Sequence, residues 1–192
     1  PTIGMVGLVA HTRHITTQWF KDDGDIIFLL GHNGDELGAS EYLRVIHRET
    51  RGLVPVLDLE VEKRLQTHLL TAIQQGIIKS AHDISDGGLA VALAECCITN
   101  HEDQHGAAIS LGDQLRPDSL LFAESQSRVI ITASPENAGL VQKLFEQAKV
   151  PTARIGTVGG TKLSISGLVS APLDSLSRAF YNAMPHFMEK VG

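Results

Sequence analysis

His82-Asp83-Ile84-Ser85-Asp86-Gly87-Gly88-Leu89 is the stretch on which the reading of this chain turns. Before it, Ile77 to Ala81 is short and apolar enough for a strand. After it, Gly87 and Gly88 open an apolar run that continues as a helix to about Ile98. The stretch is therefore a strand-to-helix junction, with free N–H groups at a helix N-terminus, where phosphate binds well. Asp83 and Asp86 are hard oxygen ligands of the kind magnesium takes, and Ser85 can donate to a phosphate oxygen. The two glycines permit close backbone approach. A second account uses the same residues without any ligand: Ser85 or Asp86 caps the helix, and the glycines ease a tight turn. The residues alone leave both accounts open.

The surroundings alternate strands with helices. Ile3 to Ala10 reads as a Gly-punctuated strand, and Ile26-Ile27-Phe28-Leu29-Leu30 as a strand buried on both faces. Leu37 to Glu49 carries a helical period. Beyond Pro55, Asp58 is an N-cap, Glu60 and Glu62 suit the positive end of a helix dipole, and Gly76 is a C-cap. Val61, Leu65, Leu69, Ala72 and Ile73 make that helix's apolar stripe. Ala107–Leu111 and Arg128–Ala133 read as strands, and Pro135 starts a helix ending near Lys149. Ala153–Val158 and Lys162–Ser166 read as a hairpin turned at Gly159-Gly160. Pro172 opens a last helix carrying Leu173, Leu176, Phe180, Met184 and Phe187. The expected architecture is α+β, a three-layer α/β/α domain with a mixed sheet flanked by helices, occupying residues 1–192.

Bulk properties narrow the function. A length of 192 residues suits a single domain with a real core. A net charge of −6 lacks the positive footprint that nucleic acid attracts, so nucleic acid is excluded as a partner. No apolar run approaches the ~20 residues of a membrane span, and no secretory signal is visible. The adjacent Cys96 and Cys97 read as buried thiols at a helix end, in a reducing cytosol. The chain opens on Pro1 without a methionine, as a processed product or a piece of a longer polypeptide does.

Other motifs carry less. Leu121-Phe122-Ala123-Glu124-Ser125-Gln126-Ser127-Arg128 sets a polar run between apolar ones. Arg128 there is able to hold a phosphate bidentately, with serine hydroxyls adding donors; the alternative is a polar loop with Arg128 on a sheet edge. His101-Glu102-Asp103-Gln104-His105 matches the zinc-protease pattern. That motif works only inside a helix, whereas this copy sits between Asn100 and Gly106 with no apolar face and no third ligand in view. Gly156 to Gly160 lacks the strand–turn–helix context of a dinucleotide fingerprint, and Trp19 reads as packing.

The His82–Glu95 segment and Leu121–Arg128 together resemble phosphoribosylformylglycinamidine synthases. So do Ile3–Val9, Gly24–Gly31 and Leu37–Tyr42, so that the resemblance spans nearly the whole chain. It implies two tandem copies of a two-domain unit, with this chain similar to the C-terminal domain of the second copy. The first copy carries an Asp-Met-Gly-Ala-Ala-Gly-Leu type of sequence where this chain has Asp83 to Leu89. The implied reaction is ATP-dependent amidation: ATP phosphorylates the amide oxygen of formylglycinamide ribonucleotide, and glutamine-derived ammonia displaces the phosphate. The implied cofactors are Mg2+ and ATP or ADP, at an auxiliary site. Asp83 and Asp86 are the implied metal residues and Ser85, Gly87 and Gly88 the nucleotide-binding ones. Glu124, Ser125, Gln126 and Arg128 correspond to a substrate- or phosphate-binding run, with Ala123 where a glycine is frequent. The implied partners are the N-terminal domains of the same polypeptide, a glutaminase subunit and a small third subunit, in the cytoplasm. Without the His and Lys residues of the N-terminal domain, the chain alone is expected to be inactive. The alternative is a stand-alone nucleotide- or phosphate-binding module.

Overall fold

The computed structural model describes residues 4–191. At its centre lies β1 (Ile26–Leu30), in which all five side chains are buried. Continuous burial means cover on both faces of the sheet. Ile26, Phe28 and Leu30 enter one apolar cluster, and Ile27 and Leu29 the other, as the two-residue period of a strand dictates.

The remaining strands are β2 (Ser80–Asp83), β3 (Ala107–Ile109), β4 (Val129–Ala133), β5 (Thr152–Val158), β6 (Lys162–Ile165) and β7 (Val169–Pro172). Their order is β2-β4-β1-β5-β3-β6-β7. The β3–β6 pair is parallel and the other neighbours are antiparallel, so the sheet is mixed. Helices α1 (Leu59–Gln75) and α4 (Ala138–Gln147) cover one face through Leu65, Ala72, Val141 and Phe145. Helices α2 (Gly88–Ile98) and α5 (Leu173–Tyr181) cover the other through Leu89, Leu93, Cys97 and Leu173. The short α3 (Pro117–Phe122) packs along α2, and α6 (Ala183–Val191) follows α5. The expected α/β/α layering is what forms.

Helix α1 obeys its sequence closely. Asp58 accepts from the N–H groups of Glu60 and Val61 at 2.9 and 3.1 Å, and Gly76 ends the helix at φ 67°. Cys96 and Cys97 are free thiols buried at the end of α2; burial raises both, Cys97 to about 12.

Several local expectations are corrected. Ile3 lies outside the described residues, and Gly4–Ala10 forms no strand; Met5 is 93% exposed, with no neighbouring strand to pair with. The helix expected over Leu37–Glu49 shrinks to residues 41–47, of which Leu43–His47 is π-helical. A Cβ on Gly38 would lie 1.9 Å from the Leu53 carbonyl oxygen, and Ala39 sits at φ 59°, so the chain turns there instead of coiling. Strands β5 and β6 are not a hairpin, because β3 lies between them; the hairpin is β6–β7. The last helix breaks at Asn182 into α5 and α6. Among the described residues, no helix is long and apolar enough to cross a membrane.

Candidate functional site

Strand β2 ends the strand order with β4 as its neighbouring strand, and on its other side the Ala81 N–H donates to the Thr17 carbonyl at 3.1 Å. The β2–β4 register sets His82 against Ile130 and Asp83 against Val129, and the Ile84 N–H continues it by donating to the Arg128 carbonyl at 3.0 Å. The end of β2 is thereby fixed beside the loop preceding β4. Ile84 is buried and anchors the turn, while Ser85 and Asp86 face solvent. Neither caps α2 through its side chain; the N-cap is Gly87, in the left-handed region at φ 83°. Gly88 follows at φ 70°. A Cβ on it would come within 2.7 Å of the Phe122 and Ala123 backbone, so its missing side chain is spent on seating α2 against the end of α3.

The second loop, Ala123–Arg128, is held from within. Glu124 Oε1 accepts from the N–H groups of Gly87 and Glu41, each at 2.9 Å. This carboxylate therefore sits at the α2 N-terminus, where helix dipoles favour negative charge. Arg128 is buried. Its Nε donates to the Ser125 carbonyl at 2.9 Å, Nη1 to Asn33 Oδ1 at 2.9 Å and Nη2 to the Ala123 carbonyl. Burial lowers the guanidinium to about 10 against the opposing pull of Glu36, Glu124 and Asp113. It remains a cation at neutral pH, but three of its five N–H donors are engaged, two by the loop it supports and one by Asn33. Ser127 occupies φ 57° and donates to Glu62 Oε2 at 2.6 Å. Gly31 makes room for this arrangement: a Cβ there would lie 2.2 Å from the Ser127 carbonyl oxygen.

Between the two loops opens a cleft of about 440 Å³, lined by Asp83, Ser85, Gln126, Ser127 and Arg128, with Glu62 and Gln66 from α1. The volume lies within the usual range for small-molecule sites, about 300 to 1,000 Å³. Of the residues singled out in the sequence, Asp83, Ser85, Gln126 and Arg128 meet here. Asp86 is not among the lining residues; its charge acts on Arg44. Gly87, Gly88 and Glu124 stand behind the cleft as its support. Ser125 lines a second, adjoining pocket. Glu62 and Gln66 carried no signal in the sequence beyond their place on a helix, because only tertiary packing brings α1 to this cleft.

The donor set decides what the cleft can hold. Asp83 and Glu62 oppose a bare phosphate, so a phosphate needs a divalent cation with it. Magnesium commonly takes one or two carboxylates and completes its shell with phosphate and water oxygens. Asp83, 77% exposed, fits such a role; Asp86, outside the cleft, does not. Among the described residues, no three His, Cys, Asp or Glu side chains converge as a metal-binding group. The zinc-protease pattern is dispersed in particular. Residues 101–105 form turns and not a helix; His101 packs edge-on to Tyr181, and His105 Nδ1 bonds Asp23 Oδ1 at 2.8 Å.

Relatives of known name share this architecture. The chain is 42% identical over 195 residues to the phosphoribosylformylglycinamidine synthase subunit PurL of Alkaliphilus metalliredigens, covering 100% of this chain and 26% of the relative. It is 39% identical over 197 residues to the subunit of the same name from Anaeromyxobacter sp. strain K, covering 99% and 26%. The chain thus spans about a quarter of the curated relatives it matches. Among solved structures, Thermotoga maritima PurL complexed with FGAR matches with a TM-score of 0.72 at 20% identity, over 86% of this chain and 30% of that one. PurL of that organism complexed with ATP gives 0.67 at 18%, over 86% and 28%. PurLQS from the same source gives 0.68 at 18%, over 88% and 28%. At these identities the structural likeness concerns the fold alone. The model of the AIR synthase related protein C-terminal domain matches residues 22–167, more than half of the chain and inclusive of both loops of the cleft, and the chain belongs to that family.

Proposed function

We propose that this chain is the C-terminal domain of the second repeat of an ATP-dependent phosphoribosylformylglycinamidine synthase. One observation carries the reading. A match at 42% identity to a subunit of that name covers the entire chain, and so takes in both loops of the cleft. The solved relatives complexed with FGAR and with ATP support the substrate pair. The PurLQS structure supports an assembly with further subunits, and the resemblance implies that these are a glutaminase and a small third subunit.

The cleft is read as an auxiliary nucleotide site and not as the centre of catalysis. Asp83 would hold Mg2+, which supplies charge neutralisation to a bound phosphate. Ser85 and Gln126 would hydrogen-bond the nucleotide. Among the described residues no histidine or lysine lines the cleft, and its one arginine is buried, bonded to its own loop and to Asn33. These side chains can position a nucleotide and its metal, but no lysine or exposed arginine faces a transferring phosphoryl group. The isolated chain is accordingly expected to be inactive.

Two measurements test this. Titration of the chain with ADP and Mg2+ should show weak binding that Asp83→Ala removes. The full polypeptide carrying this chain, given ATP, ammonia and formylglycinamide ribonucleotide, should release ADP and phosphate. Failure of that polypeptide to turn over formylglycinamide ribonucleotide sinks the reading.

A further inference from the structure

Asn33-Gly34 is the one place in the sequence where an asparagine precedes a glycine; Asn100, Asn137 and Asn182 all precede residues that carry side chains. Asparagine is chemically labile where the backbone nitrogen of the next residue can reach its side-chain carbonyl carbon, and glycine hinders that approach least. Asn33 and Gly34 lie just beyond β1, outside any helix or strand. The Gly34 N–H donates to no acceptor among the described residues, so its nitrogen is not tied elsewhere. The fold also holds position 34 to glycine: a Cβ there would meet Ser125 Oγ and Glu36 Oε2, each at 2.7 Å.

The Asn33 amide is gripped at both ends. Its Oδ1 accepts from Arg128 Nη1 at 2.9 Å, and its Nδ2 donates to Asp113 Oδ2 at 3.1 Å. Asp113 thereby fixes which end of the amide faces the arginine. A cation bonded to the carbonyl oxygen draws electron density from Cγ and stabilises the negative charge that gathers on Oδ1 when a nucleophile adds. Arg128 is suited to this work. It is 2% exposed, so water does not screen it, and its hydrogen-bond partners are two backbone carbonyls and Asn33, all neutral. None of those bonds offsets its charge.

We propose that Asn33 is a self-deamidation site in which Arg128 is the oxyanion donor. The Gly34 nitrogen, its proton lost to solvent base, bonds to Asn33 Cγ. The tetrahedral centre collapses by breaking Cγ–Nδ2, and Nδ2 takes a proton from water and leaves as ammonia. Water then opens the succinimide at either carbonyl and leaves aspartate or isoaspartate at position 33. Water is the only co-reactant, and nothing is oxidised or reduced. The product changes charge at one defined point, because a carboxylate now stands between Arg128 and Asp113. Arg128 gains the counter-charge its partners lack, while Asp113 loses a donor and meets a like charge. The site needs no ligand and stands apart from the nucleotide reading of the cleft.

The test is fragment mass spectrometry of the full chain held at mildly alkaline pH, both folded and unfolded in guanidinium chloride, with aspartate and isoaspartate counted at each asparagine. In the folded chain Asn33 should convert at least about tenfold faster than Asn100, Asn137 and Asn182, which lack such a donor. Its folded rate should equal or exceed its unfolded rate, whereas a fold that merely immobilised the amide would slow it. Arg128→Met should slow the folded reaction by about tenfold or more. Asp113→Ala removes an exposed side chain, so the fold stays in place even where loss of Arg128 disrupts it, and it should bring the folded rate below the unfolded one. A wild-type folded rate below the unfolded rate, or a folded rate that neither variant lowers, overturns the proposal.

Discussion

Glu124 lies inside a run whose resemblance implies substrate binding, yet its Oε1 already joins Gly87 of one loop to Glu41 of another segment. A carboxylate accepting two backbone N–H bonds is a strong tie, since charge-assisted bonds exceed neutral ones. Glu124→Ala leaves both donors without that partner and should lower stability by about 2 kcal/mol. Glu124→Gln keeps an acceptor oxygen and should recover most of that loss in urea unfolding. Equal loss for both variants would refute the tie. His105 is a second residue whose role lies away from its motif. Burial pulls its pKa down, but the hydrogen bond to Asp23 and the nearby carboxylates of Asp23 and Asp103 outweigh this and leave it raised above 6.5. A raised folded-state pKa means the protonated form is favoured by folding. The stabilisation is full below the unfolded value near 6.5 and is lost as pH rises through the folded value. Urea midpoints across about pH 5 to 9 should show that decline in the wild type and a flatter profile in His105→Gln; identical profiles would rule out this contribution of His105.

At the scale of elements, glycines separate seats from bystanders. Gly88→Ala combines φ 70° with a Cβ at 2.7 Å from backbone on the α3 side, where nothing flexible can yield. It should cost about 3 kcal/mol or more. Gly139→Ala, in α4 with nothing within 4 Å, should gain up to about 0.5 kcal/mol. Thermal unfolding of the two variants checks the contrast, and a neutral Gly88→Ala would show that α2 can reseat. The same local logic explains what was legible in the sequence. Helix α1 was, because cap, dipole, stripe and terminal glycine all lie within one segment and agree. At Gly159-Gly160 the chain bends without a hairpin turn, and the strands on either side are parted by β3. Gly106 inserts there, donating to the Gly160 carbonyl and accepting from the Gly159 N–H, and no pattern within residues 153–166 reports that third strand. The site divides the same way. Asp83, Ser85 and Gln126 stood out as motif residues, whereas Glu62 and Gln66 reach it only through folding.

The whole molecule leaves apolar surface that its own layers do not cover. Leu53 is 89% exposed, and Val54, Val56, Leu57 and Leu59 continue the same stretch. Near the other end of the chain, Phe180, Met184, Phe187 and Met188 are exposed along α5 and α6. Contiguous apolar surface of this kind marks an interaction site in a soluble protein. If the chain is one domain of a longer synthase, the rest of that polypeptide should cover the Leu53–Leu59 stretch. The double substitution Leu53→Ser and Val56→Ser then has opposite effects in two settings. In the isolated chain neither side chain is buried, so the unfolding temperature should stay within about 2 °C of wild type, with less self-association by light scattering. In the full polypeptide the same substitutions remove buried contacts and should cost about 2 kcal/mol or more. Unchanged stability in both settings would mean that this face stays in solvent, and the domain reading would lose its physical support at the largest scale.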